Sequence, residues 1–257
     1  MPSYPQDMSV LVTGASSGIG LATARKYAEQ GAQVALAARS VDHLNDVVDE
    51  LKANGATAIA IPGDLTQAQA VEECVARTVG TFGGLDVLVT AAGIISTGTI
   101  ESTSMDDWDL MMNLNVRSPF YLMQRAMPHL VERKGAVVNV SSVTGLRSFP
   151  GILSYCVSKA GVDQLTRCAA LEMAPKGVRI NAVNPGVVVT NLHRAGGMND
   201  ADYARFLEHS QSTHPMGRVG QPEEVADLIF FLASPEAGWI TGVTCSIDGG
   251  RALTCFR

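Results

Sequence analysis

The sequence predicts an α/β fold, a Rossmann-type doubly wound parallel sheet of about seven strands in a single domain. Three observations point there. Short apolar, β-branched runs alternate with helical patterns along the whole chain. A glycine-rich turn, Gly14-Ala15-Ser16-Ser17-Gly18-Ile19-Gly20, stands between the first apolar run and the first helical pattern. No proline- or serine-rich linker, charge block or internal repeat divides the 257 residues.

The elements follow in order. Residues 9–13 (Ser-Val-Leu-Val-Thr) read as a buried strand, and Leu21 to Ala28 as a helix. Strands are expected at 33–38, 56–61, 86–90, 136–140, 179–183 and 243–247. Helices are expected at about 42–53, 67–81 and 105–130, the last interrupted by Pro119, and through Tyr155 to about 174. Apolar strands separated by helices imply a parallel sheet covered on both faces. Ligands then bind beyond the carboxyl ends of the strands.

Composition narrows the function. Hydrophobic residues make up 46% of the chain, enough for a large core. A net charge of −6 argues against non-specific binding to nucleic acid or an anionic membrane. No apolar run approaches the length of a membrane span. The first nine residues read as too short and polar for a signal peptide, and the cysteine pattern is what leads to the expectation of a cytoplasmic protein. Cys74, Cys156, Cys168, Cys245 and Cys255 lack C-x-x-C spacing, which suggests reduced thiols. The histidines show no paired metal spacing, and no metal site is predicted.

Two segments carry chemistry. In the glycine turn, missing Cβ atoms let the backbone approach a pyrophosphate, and the following helix offers free N–H groups to it. The second segment contains Tyr155 and Lys159, four apart and therefore on one helix face, with Ser142 thirteen positions before the tyrosine. A phenol has a reference pKa of about 10, and bringing it to about 7 takes about 4 kcal/mol. A lysine and a cationic cofactor ring together could supply that. A serine hydroxyl beside the phenol would hold a carbonyl or alcohol oxygen. Read alone, the segment equally fits an amphipathic helix with a snorkelling lysine.

Together these segments resemble the short-chain dehydrogenase/reductase family in its compact form, and within it the 3-oxoacyl and carbonyl reductases. The resemblance spans essentially the whole chain. It implies a catalytic set of Asn115, Ser142, Tyr155 and Lys159, with Tyr155 as general acid/base and Asn115 keeping a water in a proton relay. Asn184-Pro185-Gly186 and Thr190 match the turn that holds the nicotinamide, and Asp248-Gly249-Gly250 the C-terminal signature. The implied cofactor site comprises Gly14, Ser16, Ser17, Gly18, Ile19, Gly20, Arg39, Ser40, Asp64, Leu65, Ala92, Gly93, Tyr155, Lys159, Pro185, Gly186, Val188 and Thr190. Asp64 reads equally well as a turn former. The chain departs from the family at Thr90-Ala91, where two asparagines are usual, and this puts bracing near the adenine ribose in question.

Cofactor choice turns on the end of the second strand. The expected acid position is Ala38, followed by Arg39, whose guanidinium can pair with a 2′-phosphate. NADP(H) is therefore expected over NAD(H); the alternative has Arg39 in solvent and Ser40 capping the next helix. A substrate lid is expected at about 191–215. Leu146, Phe149, Leu153, Leu192, His193, Met198 and Phe206 are its pocket candidates, with Ser142, suited to an apolar ketone. Arg147 or Arg194 could meet an anionic group. The expected partners are a small carbonyl or alcohol substrate and, by the resemblance, other copies of the chain in a homotetramer. The competing reading is a catalytically weak NADP(H)-sensing protein on the same fold.

Overall fold

The computed structural model describes residues 8–254. Seven strands form one parallel sheet: β1 (Ser9–Thr13), β2 (Gln33–Ala38), β3 (Ala58–Pro62), β4 (Val87–Thr90), β5 (Ala136–Val140), β6 (Arg179–Pro185) and β7 (Thr244–Ile247). Their spatial order is β3-β2-β1-β4-β5-β6-β7. The chain order reverses between β1 and β4, and a crevice opens at such a switch point.

Ten helices accompany them among the described residues: α1 (Gly18–Glu29), α2 (Val41–Ala53), α3 (Ala68–Phe82), α4 (Met105–Met112), α5 (Ser118–Arg133), α6 (Val143–Leu146), α7 (Leu153–Met173), α8 (Leu192–Ala195), α9 (Asp200–Thr213) and α10 (Pro222–Ala233). Side chains alternate across each strand, and both faces are apolar. Val10, Val12, Val34 and Leu36 join one core with Tyr27, Leu44 and Phe230 from α1, α2 and α10. Leu11, Ala35 and Leu88 join the other with Val71, Leu122 and Ala126 from α3 and α5, and Ala170 from α7. This is why the strands read as unbroken apolar runs.

Two expectations need correcting. The predicted helix over 105–130 widens just before Pro119 rather than breaking at it. The helix runs on through a wider π-type turn at Asn113–Arg117, with helical backbone at both joins to α4 and α5, and Pro119 follows just after that turn. The long α10 was not anticipated. Its mean hydropathy is high, and Pro222 with the Gln221–Glu224 capping box marks its start. No described helix is long and apolar enough to cross a membrane. Cys255 lies outside the described residues.

Candidate active site

One cleft of about 920 Å³ runs along the carboxyl ends of the strands. Every residue that the sequence assigns to the cofactor lines it, except Asp64. Asp64 is exposed and accepts the Thr66 N–H at 3.0 Å, so it forms the turn into α3 while Gly63 and Leu65 beside it face the cleft.

At one end the glycine turn leaves β1 for α1. Gly14 has φ +67°, and a Cβ there would lie 2.8 Å from the Ala91 carbonyl and the Ala92 nitrogen. A Cβ on Gly20 would meet the Gly14 carbonyl oxygen at 2.3 Å. These two positions admit only hydrogen if the β1 turn is to pack against the end of β4. Ser17 precedes α1 and makes no side-chain cap bond, so the helix N-terminus keeps N–H groups for an anion. At the end of β2, Arg39 is exposed and lines the cleft beside half-buried Ser40. The nearest acid, Asp42, stands in the first turn of α2, where the helix dipole favours a carboxylate. The cradle therefore fits a dinucleotide: open donors at a helix end, a floor without Cβ atoms, and a cation beyond it.

Tyr155 and Lys159 lie in the first two turns of α7, both buried. Ser142 ends the β5 connection and caps α6, its Oγ accepting the Thr144 N–H at 3.2 Å. Burial pushes the Tyr155 phenol up to about 12, against a hydrogen bond from Ser142 that pulls it down. Burial also brings Lys159 down to about 8, against Asp163, which raises it. The lysine donates to the Val140 carbonyl at 2.9 Å, and its Nζ stands 5.6 Å from the Tyr155 ring centre. The protein alone thus holds the phenol neutral. The lowering anticipated from sequence needs a further positive charge beside the ring.

Behind these residues the backbone is held by buried polar pairs. Asn115 sits in the π-type turn and does not line the cleft. Its Oδ1 accepts the Ile94 N–H at 3.0 Å, and its Nδ2 donates to the Ile94 carbonyl at 3.0 Å and to Ser158 Oγ at 3.1 Å. The side chain braces the chain beyond β4. At the departure from the family pattern, Thr90 Oγ1 donates to Asn139 Oδ1 at 2.7 Å, and Asn139 donates to Thr166 Oγ1 at 2.9 Å. Ala91 has no polar side chain, yet its N–H and that of Ala92 donate to Thr13 Oγ1 at 3.1 and 3.3 Å. Bracing persists with a hydroxyl in place of amides.

The other end of the cleft is apolar. Phe149, Leu192, His193, Met198 and Phe206 line it, as expected from the sequence; Leu146 and Leu153 do not. Leu146 ends α6 and is exposed. Leu153 starts α7 about 200° around the helix from Tyr155, and so points away from the cleft. Ile94, Val143 and Ile152 take their places. The segment 191–215 contains α8 and α9. Tyr203 on α9 donates to the Thr190 carbonyl at 2.8 Å and accepts the Thr190 N–H at 3.2 Å. His214 Nδ1 lies 2.6 Å from the Ser210 carbonyl and must carry the proton, so Nε2 accepts the Val187 N–H at 3.1 Å. Arg194 is paired with Asp200 at 2.7 Å and stacked on Tyr203, while Arg147 holds the Ala252 carbonyl at 2.6 Å. Neither arginine lines the cleft; Arg251 does.

Known proteins share this arrangement. The family model described as enoyl-(acyl carrier protein) reductase matches residues 14–252. A 3-oxoacyl-[acyl-carrier-protein] reductase from Staphylococcus aureus is 38% identical over 247 residues, covering 95% of this chain and 98% of that protein. The chain belongs to the short-chain dehydrogenase/reductase family. An uncharacterized oxidoreductase from Thermotoga maritima is 42% identical over 246 residues, 95% of this chain and 97% of that protein. Among solved structures, a short-chain dehydrogenase/reductase of unknown function from Caenorhabditis elegans, crystallised with cofactor, superposes with a TM-score of 0.91. It is 33% identical and covers 99% of this chain and 98% of its own. A short-chain type dehydrogenase/reductase from Mycobacterium marinum gives a TM-score of 0.88 at 35% identity, over 96% of this chain and 98% of that one.

Within this short-chain dehydrogenase/reductase, sequence reading overlooked Asp163 and Tyr203, and placed His214 in the lid segment without the backbone contact it makes. Asp163 carried a readable signal, since an acid one turn beyond a buried lysine is a counter-charge in waiting. Tyr203 and His214 act on backbone groups distant along the chain, and nothing local announces that.

Proposed function

We propose that this oxidoreductase interconverts a ketone or aldehyde and the corresponding alcohol with NADP(H), Tyr155 acting as general acid/base. The observation that carries the reading is the meeting of Ser142, Tyr155 and Lys159 in one cleft that joins a dinucleotide-shaped cradle to an apolar pocket. Bound nicotinamide cofactor would supply or accept the hydride. Ser142 would hold the substrate oxygen, and Tyr155 would pass its proton to that oxygen during reduction. A phenol held near 12 is a proton donor at neutral pH and a poor base. Reduction uses the protonated phenol that this environment holds at pH 7, and oxidation uses the phenolate, which needs the phenol pKa lowered. Lys159 supports the second state by placing positive charge beside the ring and a donor toward the cofactor ribose.

Arg39, exposed at the end of β2 with no acid at Ala38, supports NADP(H) over NAD(H). The apolar end supports a ketone with hydrophobic substituents, and resemblance to the 3-oxoacyl reductases makes a β-ketoester a suitable first probe. Segment 191–215 would act as the substrate lid. Exposed Leu110, Phe120, Val157 and Leu171 on α4, α5 and α7 suit burial between copies in a homotetramer. Free thiols at Cys74, Cys156, Cys168 and Cys245 suit a reducing, cytoplasmic setting.

The test is oxidation of NADPH and NADH by the purified protein over ketones, β-ketoesters and dicarbonyls, with Tyr155→Phe alongside. NADPH-dependent turnover that falls at least about a thousandfold in Tyr155→Phe supports the reading. Tight NADPH binding with no turnover on any compound would favour the sensing protein instead.

A further inference from the structure

The mechanism above leaves the most deeply buried carboxylate unused. Asp163 lies on α7 one turn beyond Lys159 and is almost fully inaccessible. Both its oxygens accept from Asn184 Nδ2, at 3.1 and 2.8 Å. The same amide nitrogen donates to the Ser142 carbonyl at 2.8 Å. All three neighbours are acceptors, so the amide can sit only with its nitrogen toward them. Asp163 thereby ties the helix bearing Tyr155 and Lys159 to the residue that carries the Ser142 hydroxyl and to the end of β6.

The packing around it is close. A Cβ on Gly145 would lie 2.4 Å from Asp163 Oδ2, so α6 rests directly on the carboxylate. Ser141, directly after β5, donates its hydroxyl to the Lys159 carbonyl at 3.1 Å, tying α7 to the end of the strand. Burial raises the Asp163 pKa, and Ser141, Asn184, Arg167 and Lys159 lower it. Around Lys159 stand Tyr155 on its own helix, the Val140 carbonyl from β5, the Asn115 amide near Gly93, and Asp163. Asp163, buried one turn along α7 from the lysine and not in direct ion-pair contact with it, is the carboxylate whose charge reaches it through the low-dielectric interior. A buried ammonium needs such a partner to remain charged.

We propose that Asp163 is a positioning residue with two duties: through Asn184 it holds the Ser142 main chain in register with Tyr155, and it is the counter-charge of the Lys159 ammonium. This rests on the reading of Ser142, Tyr155 and Lys159 given above. The two duties separate by mutation. Asp163→Asn removes the charge and keeps the shape. Asn184→Ala keeps the charge and releases Ser142.

The experiment follows the Lys159 side chain by NMR of protein labelled with carbon-13 at lysine Cε, its signal assigned by its loss in Lys159→Met. In the unaltered protein the titration midpoint is expected near 8. Asp163→Asn should lower it by about one pH unit, the reach of one charge across a helical turn. Asn184→Ala should leave it in place. In the reduction assay, Asp163→Asn should shift the alkaline limb of kcat/KM the same way. Asn184→Ala should lower kcat about tenfold or more with the limb unmoved. An unmoved lysine midpoint in Asp163→Asn, or full kcat in Asn184→Ala, overturns the proposal. Should Asp163→Asn not fold, Asp163→Glu replaces it: the charge is retained, so the midpoint must stay while kcat falls, and a midpoint lowered by about one unit overturns the proposal. The titration needs no substrate. A protein that reduces nothing defeats the functional reading alone, and the lysine signal still decides this one.

Discussion

Replacing Lys159 by Met should stabilise the protein at neutral pH while removing its activity. Lys159 is buried, and its pKa drops from the ordinary 10.5 to about 8. That gap of about 2.5, at about 1.36 kcal/mol for each, amounts to about 3 kcal/mol against the folded state wherever the lysine is charged. Methionine fills a similar volume without charge. The Val140 carbonyl loses its donor, a loss of about 1 kcal/mol. Asp163 also loses its cation, the smallest of the contributions that lower its pKa. The net expectation at pH 7 is a gain of about 2 kcal/mol.

The pH dependence carries the sign. In the folded protein Lys159 releases its proton near 8, whereas the unfolded chain holds it to about 10.5. Between those values the unfolded state binds more protons, so the stability of the unaltered protein rises with pH. Lys159→Met lacks that rise. Its advantage should shrink above pH 8 and reverse by about pH 10.5. Equilibrium urea denaturation at fixed protein concentration, at several pH values from 7 to 10, measures the difference; other titrating groups are common to both proteins and cancel. A variant less stable at pH 7, or a difference constant with pH, would refute the assignment of a strained buried ammonium.

Three further outcomes are expected. Arg39→Ala should weaken NADPH binding about tenfold or more and leave NADH nearly unchanged, read by cofactor fluorescence titration; equal effects on both would place the guanidinium in solvent. Thr90→Val leaves the buried Asn139 Oδ1 without its donor and should lower stability by about 1–3 kcal/mol, seen as a drop in Tm with little change in KM for the cofactor. Gly14→Ala forces a Cβ to within 2.8 Å of the Ala91–Ala92 backbone at a φ of +67°, and should abolish cofactor binding before it abolishes folding, as circular dichroism and binding together would report.

The sequence by itself determined the fold class and most of the strands. β1, β2 and β5 stand at the residues expected, because each is an apolar run closed by glycine, serine or a helix start, signals local to the chain. It also brought Gly14, Ser142, Tyr155 and Lys159 to one cleft, since residues after parallel strands share an edge of the sheet. Local signals failed where packing between distant segments decides. The irregular turn of the long helix is Asn113–Arg117, where Asn115 grips Ile94, just before the proline that marks the sequence. Thr90 keeps its bracing role because Asn139 and Thr166 happen to meet it across β5 and α7. The phenol and ammonium values, one pushed up and the other down, come from burial, which no spacing of residues reports. Chain pattern names the groups that react; tertiary structure sets their solvent and partners, and with them the energy of each charge.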